Sequence, residues 1–222
     1  MLRNENYMGE TILQKSYTAD FLSKRRVVND GDLPKYHIKK DHELIIDIET
    51  WEAVRAELDR RAQYCTEHFT NAYSQKTETN PFYAKIICGN CGSTYSRVKY
   101  TMRAGTAITK WRCGSCNKTN GHKICSNRYV TDETFKKLFV MSWNEIVEKQ
   151  TNYQESWQDN IKGDDVLLRY KTKLVMKQAA AGPIKEFDPE LMMAVMDHIT
   201  VYEDGRLQIR FYDETEFEVA TE

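Results

Sequence analysis

Five of the six cysteines lie between residues 88 and 125: Cys88 and Cys91 in "CGNCG", Cys113 and Cys116 in "CGSC", and Cys125 beyond them. A thiolate is a soft, charged ligand suited to a tetrahedral zinc ion, and C-x2-C lets one tight turn offer two sulfurs to the same metal. Gly92 relaxes the first turn, and Asn117, which tolerates a left-handed conformation, serves the second. On spacing alone, Cys88, Cys91, Cys113 and Cys116 form two matched knuckles. Four protein ligands leave no position for a water, so the expected Zn2+ is structural and hydrolysis is not expected. No HExxH or His-rich carboxylate cluster suggests a zinc hydrolase. No βαβ pattern surrounds either pair, which argues against a thioredoxin-like redox site. His122 reads as a surface polar residue.

Charge is unevenly spread. The 222-residue chain has a net charge of −1, but Thr79 to Thr131 holds nine Lys or Arg and no acid, whereas Asp197 to Glu222 holds eight acids and two Arg. The first segment is built to meet an anion. Four thiolates on one Zn2+ leave two negative charges, fewer than the nine cations would balance. No apolar run is long enough to suggest a membrane span. The opening "MLRNENYMGETILQ" does not read as a signal peptide, so the cysteines are expected to stay reduced and the chain to be cytoplasmic.

The elements that must hold these residues suggest an α+β chain. Residues 1–65 read as short strands ("ETILQKSY", "KYHIKK", "ELIID"), a turn at "NDGDLP", and a helix over 48–64 with Trp51, Val54 and Leu58 as its apolar stripe and Asp47 as N-cap. Residues 66–80 read as a linker. Over 81–130, "STYSRVKY" and "TAITKWR" alternate as two strands joined near Gly105. Period two puts Arg97 and Lys99 on one face of the first, and Ile108, Lys110 and Arg112 on one face of the second. Residues 131–198 read as helical: one helix over 132–150, one along "DDVLLRYKTKLVMKQAAA" with Val166, Tyr170, Leu174 and Met176 apolar, and a short third along "PELMMAVMDHI" opened by Asp188-Pro189. Residues 199–222 read as a β-meander turning at Asp204-Gly205, and 81–222 as one domain.

"LRNENYMG", "NDGDLPKYHIKKDHELIID" and "WEAVRAELDRR" resemble the later half of the recombinase domain of large serine recombinases, the family of phage integrases and the recombinases of conjugative transposons. "PFYAKIICGNCGSTYSR", then "KWRC" and "CSNRYV", resemble that family's zinc β-ribbon, and "MDHITVYEDGRLQIRF" its closing segment. The resemblance is weakest from about 140 to 187. It implies a different ligand set, Cys88, Cys91, Cys113 and Cys125, with Cys116 a nearby free thiol; Cys116 is the alternative fourth ligand by spacing. Cys65 reads as a core or surface thiol. The resemblance further implies a mixed α/β recombinase-domain remnant followed by the zinc ribbon, its packed helices and the meander. The family's resolvase-like catalytic domain, with its serine and arginine cluster, has no counterpart here. The chain therefore reads as a fragment without catalytic residues, and the long coiled-coil insertion of many integrases as absent or reduced to the helices near 132–180.

The implied role is recognition of an attachment site or element end in double-stranded DNA. Lys15, Lys24, Arg25, Arg26, Lys39 and Lys40 would serve from the first domain, and Arg97, Lys99, Arg103, Lys110 and Arg112 from the ribbon. Other recombinase subunits and a recombination directionality factor are the further partners implied, the acidic tail being the candidate contact. A zinc-ribbon protein-interaction module is the alternative reading.

Overall fold

The computed structural model describes residues 2–70, 73, 80–101, 107–116, 118–119, 122–123 and 125–220. Arg103, Gly105 and Asn117, and most of the expected linker, lie outside the described residues. The chain divides into two compact units, Met1–Glu57 and Leu58–Glu222, with the boundary inside a helix.

The first unit holds four three-residue strands, β1 (Thr11–Leu13), β2 (Ser16–Thr18), β3 (Arg26–Val28) and β4 (Tyr36–Ile38), and the start of α1 (Ile48–Glu67). β1 pairs with β4 and β2 with β3, both antiparallel. "ETILQKSY" is thus two strands, because Gln14 between them takes a left-handed φ of 60°. "ELIID" forms no strand: Ile45 and Ile46 both donate their N–H to the Tyr7 carbonyl in a turn. Asn29 organises the loops. Its Nδ2 donates to the carbonyls of Gln14 (2.9 Å) and Leu33 (2.7 Å), while its Oδ1 accepts from the N–H groups of Gly31 and Leu33 (both 3.1 Å), so this buried amide is satisfied from within. Asp47 caps α1 by accepting from Thr50 N–H at 2.8 Å. Trp51 is buried and donates its indole N–H to the Asn4 carbonyl at 3.1 Å.

The second unit continues with β5 (Ile86–Cys88), β6 (Tyr95–Thr101), β7 (Ala107–Cys113), β8 (Lys118–Thr119), β9 (His122–Lys123) and β10 (Val130–Thr131). Four helices follow, α2 (Asp132–Glu148), α3 (Gln150–Lys162), α4 (Val166–Ala179) and α5 (Pro189–Val195), then β11 (Met196–Val201), β12 (Arg206–Phe211) and β13 (Glu216–Ala220). β10, β7 and β6 form the ribbon sheet, and the order β13-β12-β11-β5 forms a second sheet in which β5 runs parallel to β11. The C-terminal meander is therefore not an appendage. Ile199, Val201, Leu207, Ile209 and Phe211 join Phe82, Trp111, Phe135, Phe139 and Trp143 in one core.

Three helical expectations change. α3 is an additional helix, anchored by Trp157, whose indole N–H donates to the buried Asp213 carboxylate at 2.6 Å; with Tyr153 and Trp157 its main apolar residues, it showed little period. α4 buries Lys171, Thr172, Val175 and Ala179 rather than the expected stripe, because the Lys171 ammonium lies 4.0 Å from the centre of the Tyr212 ring and its stem fills the place of a hydrophobe. α5 stops at Val195, and "MDHITV" is strand, since it completes two ladders at once, with β5 and with β12.

A polar network crosses this core. Lys85 has no exposed surface; its ammonium donates to the carbonyls of Met196 (2.5 Å) and Asp197 (3.3 Å) and to the Tyr212 hydroxyl (3.2 Å). Asp197 accepts from Arg60 at 2.9 Å and from His198 Nδ1 at 3.1 Å. Burial alone would raise the Asp197 carboxyl, but His198, Arg60 and Lys85 together hold it well below the usual carboxylate range. A depressed folded-state pKa stabilises the fold above the unfolded-state value, roughly pH 4, and the contribution disappears as pH falls through the folded value. Asp197→Asn should therefore lower the urea midpoint at pH 7, and the gap from wild type should narrow steadily between pH 5 and pH 2. Lys85→Met, which leaves two carbonyls without their donor, should cost about 2–4 kcal/mol in the same titration.

Candidate metal centre and the basic face of the ribbon

Cys88 is the last residue of β5 and opens the first knuckle. Gly92 N–H closes that turn on the Cys88 carbonyl at 2.8 Å, and Gly92 adopts the left-handed φ of 73° the turn requires. Gly89 lies so close to β11 that a Cβ there would meet the Tyr202 ring at 2.6 Å, so only glycine passes. Cys113 ends β7 and begins the second knuckle, where Gly114 N–H donates to the Thr94 carbonyl at 2.9 Å. The Ser93 and Ser115 hydroxyls, 2.7 Å apart, tie the two knuckles together. His68, just beyond α1, donates from Nδ1 to the Gly92 carbonyl at 2.7 Å.

The sulfurs of Cys88, Cys91, Cys113 and Cys125 lie within 4.8 Å of one another. Cys88 and Cys125 are 3.7 Å apart, and Cys91 and Cys113 are 3.3 Å apart. A tetrahedral ion with thiolate arms of about 2.3 Å needs sulfur–sulfur edges of about 3.8 Å, which these residues fit. All five thiols of the region are free of disulfide bonds. Burial pushes the Cys91 thiol up, yet the Ser93 N–H and the neighbouring Cys113, Ser93 and Cys88 side chains outweigh it and bring it down to about 6. Burial and the pairing with Cys91 push the Cys113 thiol up, and burial first among its causes raises Cys125. A cluster that shares protons in this way is one a cation would strip of them.

Cys116 stands outside the cluster. Its thiol donates to the Cys125 carbonyl at 3.0 Å, so the second thiol of "CGSC" holds the segment that delivers the fourth sulfur. Asn127 is the outer support. It is buried, and its amide donates to Cys88 Sγ (3.1 Å) and to the Val201 carbonyl (2.7 Å) while its Oδ1 accepts from Arg128 N–H (2.7 Å). Asn127 was visible only as part of "CSNRYV", because a single Asn carries no spacing signal.

The ribbon register places the two expected pairs of cations on opposite sides of the sheet. Arg97 lies opposite Trp111, Lys99 opposite Thr109, Val98 opposite Lys110 and Ser96 opposite Arg112. Residues directly opposite in an antiparallel ladder share a face, so Arg97 and Lys99 lie on one side of the sheet and Lys110 and Arg112 on the other. Around Arg97 that side faces the core, while Lys99, farther along the strand, is exposed. Trp111 is buried and donates to Asp132 Oδ1 at 2.5 Å, and the Arg97 guanidinium pairs with Asp132 Oδ2 at 3.1 Å. Thr131, accepting from Thr134 N–H, caps α2 and leaves the Asp132 carboxylate for this role. The outer side carries Lys110 and Arg112 with Tyr100 and Tyr129, whose rings meet edge to face at 6.2 Å. Both tyrosines were missed by the sequence reading, which followed charge alone.

In the first unit, Lys15 is tied to Glu5. Lys24, Arg25, Arg26, Lys39 and Lys40 are exposed and form no ion pair among the described residues. Among the described residues, no helix is long and apolar enough to cross a membrane.

This arrangement, a β-ribbon closed by a four-thiol cluster and packed on helices and a mixed sheet, defines a zinc-ribbon class of α+β domain. Residues 81–144 match the recombinase zinc beta ribbon domain and residues 1–61 match the recombinase domain. Together these matches span more than half of the chain, which belongs to the recombinase family that these two domains define. A chain from a crystal structure of an LSR–DNA complex aligns over 96% of this chain and 74% of its own length, with 15% identity and a TM-score of 0.54. Another, from work on the sequence requirements of the Listeria innocua prophage attP site, aligns over 95% of this chain and 65% of its own, with 16% identity and a TM-score of 0.42. No curated protein matches the chain.

The geometry separates the two candidate fourth ligands. Cys125→Ser should abolish stoichiometric metal in the purified chain, whereas Cys116→Ser, whose hydroxyl can still donate to the Cys125 carbonyl, should retain one ion per chain by plasma emission analysis.

Proposed function

We propose that the chain is a duplex-DNA-binding region of a serine site-specific recombinase, that its four-cysteine centre holds one structural Zn2+, and that it performs no strand chemistry itself. The observation that carries this reading is the outer ribbon face. Lys110 and Arg112 stand beside Tyr100 and Tyr129 on a surface drawn from a segment without a single Asp or Glu. A two-stranded ribbon fits the major groove of B-DNA, and cations with tyrosine hydroxyls suit phosphate oxygens. The recombinase match over residues 1–61 and the DNA present in the similar LSR complex support the same reading. Four thiolates, with Asn127 donating to one of them, suit zinc over harder ions, and a metal with four protein ligands acts as a fastener. Lys24, Arg25, Arg26, Lys39 and Lys40 would add phosphate contacts from the first unit. Arg97 is withdrawn from this role by Asp132 and serves the fold.

The test is affinity for a duplex, selected from a random pool by the wild-type chain, measured against salt concentration. Lys110→Ala should flatten the log–log salt slope by about 0.9 and leave the melting temperature unchanged, and Arg112→Ala should flatten the slope by the same amount. Arg97→Ala should do the reverse, lowering the melting temperature with the slope preserved. A wild-type chain that ignores every duplex at low salt, or whose affinity is flat in salt, would remove the basis of the proposal.

A further inference from the structure

The β2–β3 hairpin ends in the loop "ADFLSKR", and its tip is built in an unusual way. The Ala19 N–H donates to the Arg25 carbonyl at 3.0 Å, extending the ladder by one step beyond Thr18 and Arg26. Asp20 then turns inward. Its carboxylate accepts from the N–H groups of Leu22 (3.1 Å) and Ser23 (3.0 Å), and its carbonyl accepts from Lys24 N–H at 3.0 Å. These backbone bonds hold the Asp20 carboxyl below its usual range, the Leu22 N–H first among them. Lys24 is held in the left-handed region at a φ of 53°, a conformation a lysine takes only under constraint. With its own polar groups tied inward, the turn presents Phe21 and Leu22 to solvent at 88% and 90% exposure. No large apolar side chain among the described residues is more exposed.

Two adjacent large hydrophobes on a fixed turn, followed at once by Lys24, Arg25 and Arg26, make an apolar point with a cationic collar. A polyanion with an apolar interior matches both parts: phosphates outside, stacked bases within. Apolar side chains that enter the minor groove wedge between base pairs, unstack them and kink the duplex, while nearby cations hold the flanking phosphates. Resting on the DNA-binding reading above, we propose that Phe21 and Leu22 form a wedge that unstacks one base step of the bound duplex, with Lys24, Arg25 and Arg26 clamping the phosphates beside it. The hairpin would then contribute selectivity through the ease of unstacking a particular step, without hydrogen bonds to its bases.

The test uses the full chain and the duplex selected by the wild type, labelled at both ends for energy transfer, with affinity read by anisotropy over a salt series. Phe21→Ala/Leu22→Ala should weaken binding about five- to a hundredfold, remove the protein-induced change in end-to-end distance, and leave the salt slope as in wild type. Phe21→Met, which keeps a large apolar side chain beside Leu22, should keep the bend. Lys24→Ala/Arg25→Ala/Arg26→Ala should instead flatten the slope by about 2–3. Because both apolar side chains are exposed, loss of fold is not expected, and circular dichroism and metal content verify that. If the double alanine variant binds and bends the duplex like wild type, the wedge is overturned while DNA binding stands. If the wild type binds no duplex, both fall. The wedge is equally overturned if the double variant keeps the bend but changes the chain's mass in solution, which marks a subunit contact, or loses binding to anionic vesicles, which marks a lipid contact.

Discussion

Cys88 belongs to two structures at once. Its backbone completes β5 opposite Val201 in a parallel ladder, and its sulfur lies in the four-thiol cluster. The joint is tight on every side: Gly89 N–H bonds the Val201 carbonyl, Asn127 bridges that same carbonyl to the Cys88 sulfur, and Tyr202 leaves no space for a Cβ at residue 89. The orientation of the ribbon within the second unit is therefore set by backbone hydrogen bonds and the four-thiol cluster together. Side-chain packing then fills in around a frame that is already fixed.

The ribbon is amphipathic, and its inner side is held by one carboxylate. Asp132 accepts from both Trp111 and Arg97, so the first residue of α2 anchors the middle of β7 and β6. A half-buried carboxylate with two donors, one of them cationic, is a strong and directional tether. It also separates the cations of an acid-free segment: Arg97, opposite Trp111, turns to Asp132, and Lys110 and Arg112, opposite Val98 and Ser96, lie on the other side of the sheet. Alternating strands make this division unavoidable, because neighbours in sequence must point to opposite sides.

Much of this was legible in the sequence. The two CxxC pairs, the hairpin strands, the helix over residues 132–150 and the Trp51 anchor follow from spacing and period alone. The four-thiol cluster joins residues from three segments, and period cannot say whether Cys116 or Cys125 completes it; the resemblance to a known ribbon pointed to Cys125, whose sulfur lies with the other three. What could not be read depends on distant partners. "MDHITV" carries helix-compatible residues and becomes strand because β5 and β12 flank it. Lys171 is a core residue because Tyr212 accepts its ammonium face-on. The facing of Arg97 depends on register, which sequence alternation fixes within a strand but not between strands.

The parallel pairing of β5 with β11 has a consequence for synthesis. The strand that begins the first knuckle finds its ladder partner only near the end of the chain, with the ribbon and four helices made in between. Contacts so distant in sequence form late and slowly. While the ribosome is still producing the helices, the emerging thiols have no sheet edge to rest on. Termination before Val201 would leave an oxidisable cluster of sulfurs on an unsupported strand.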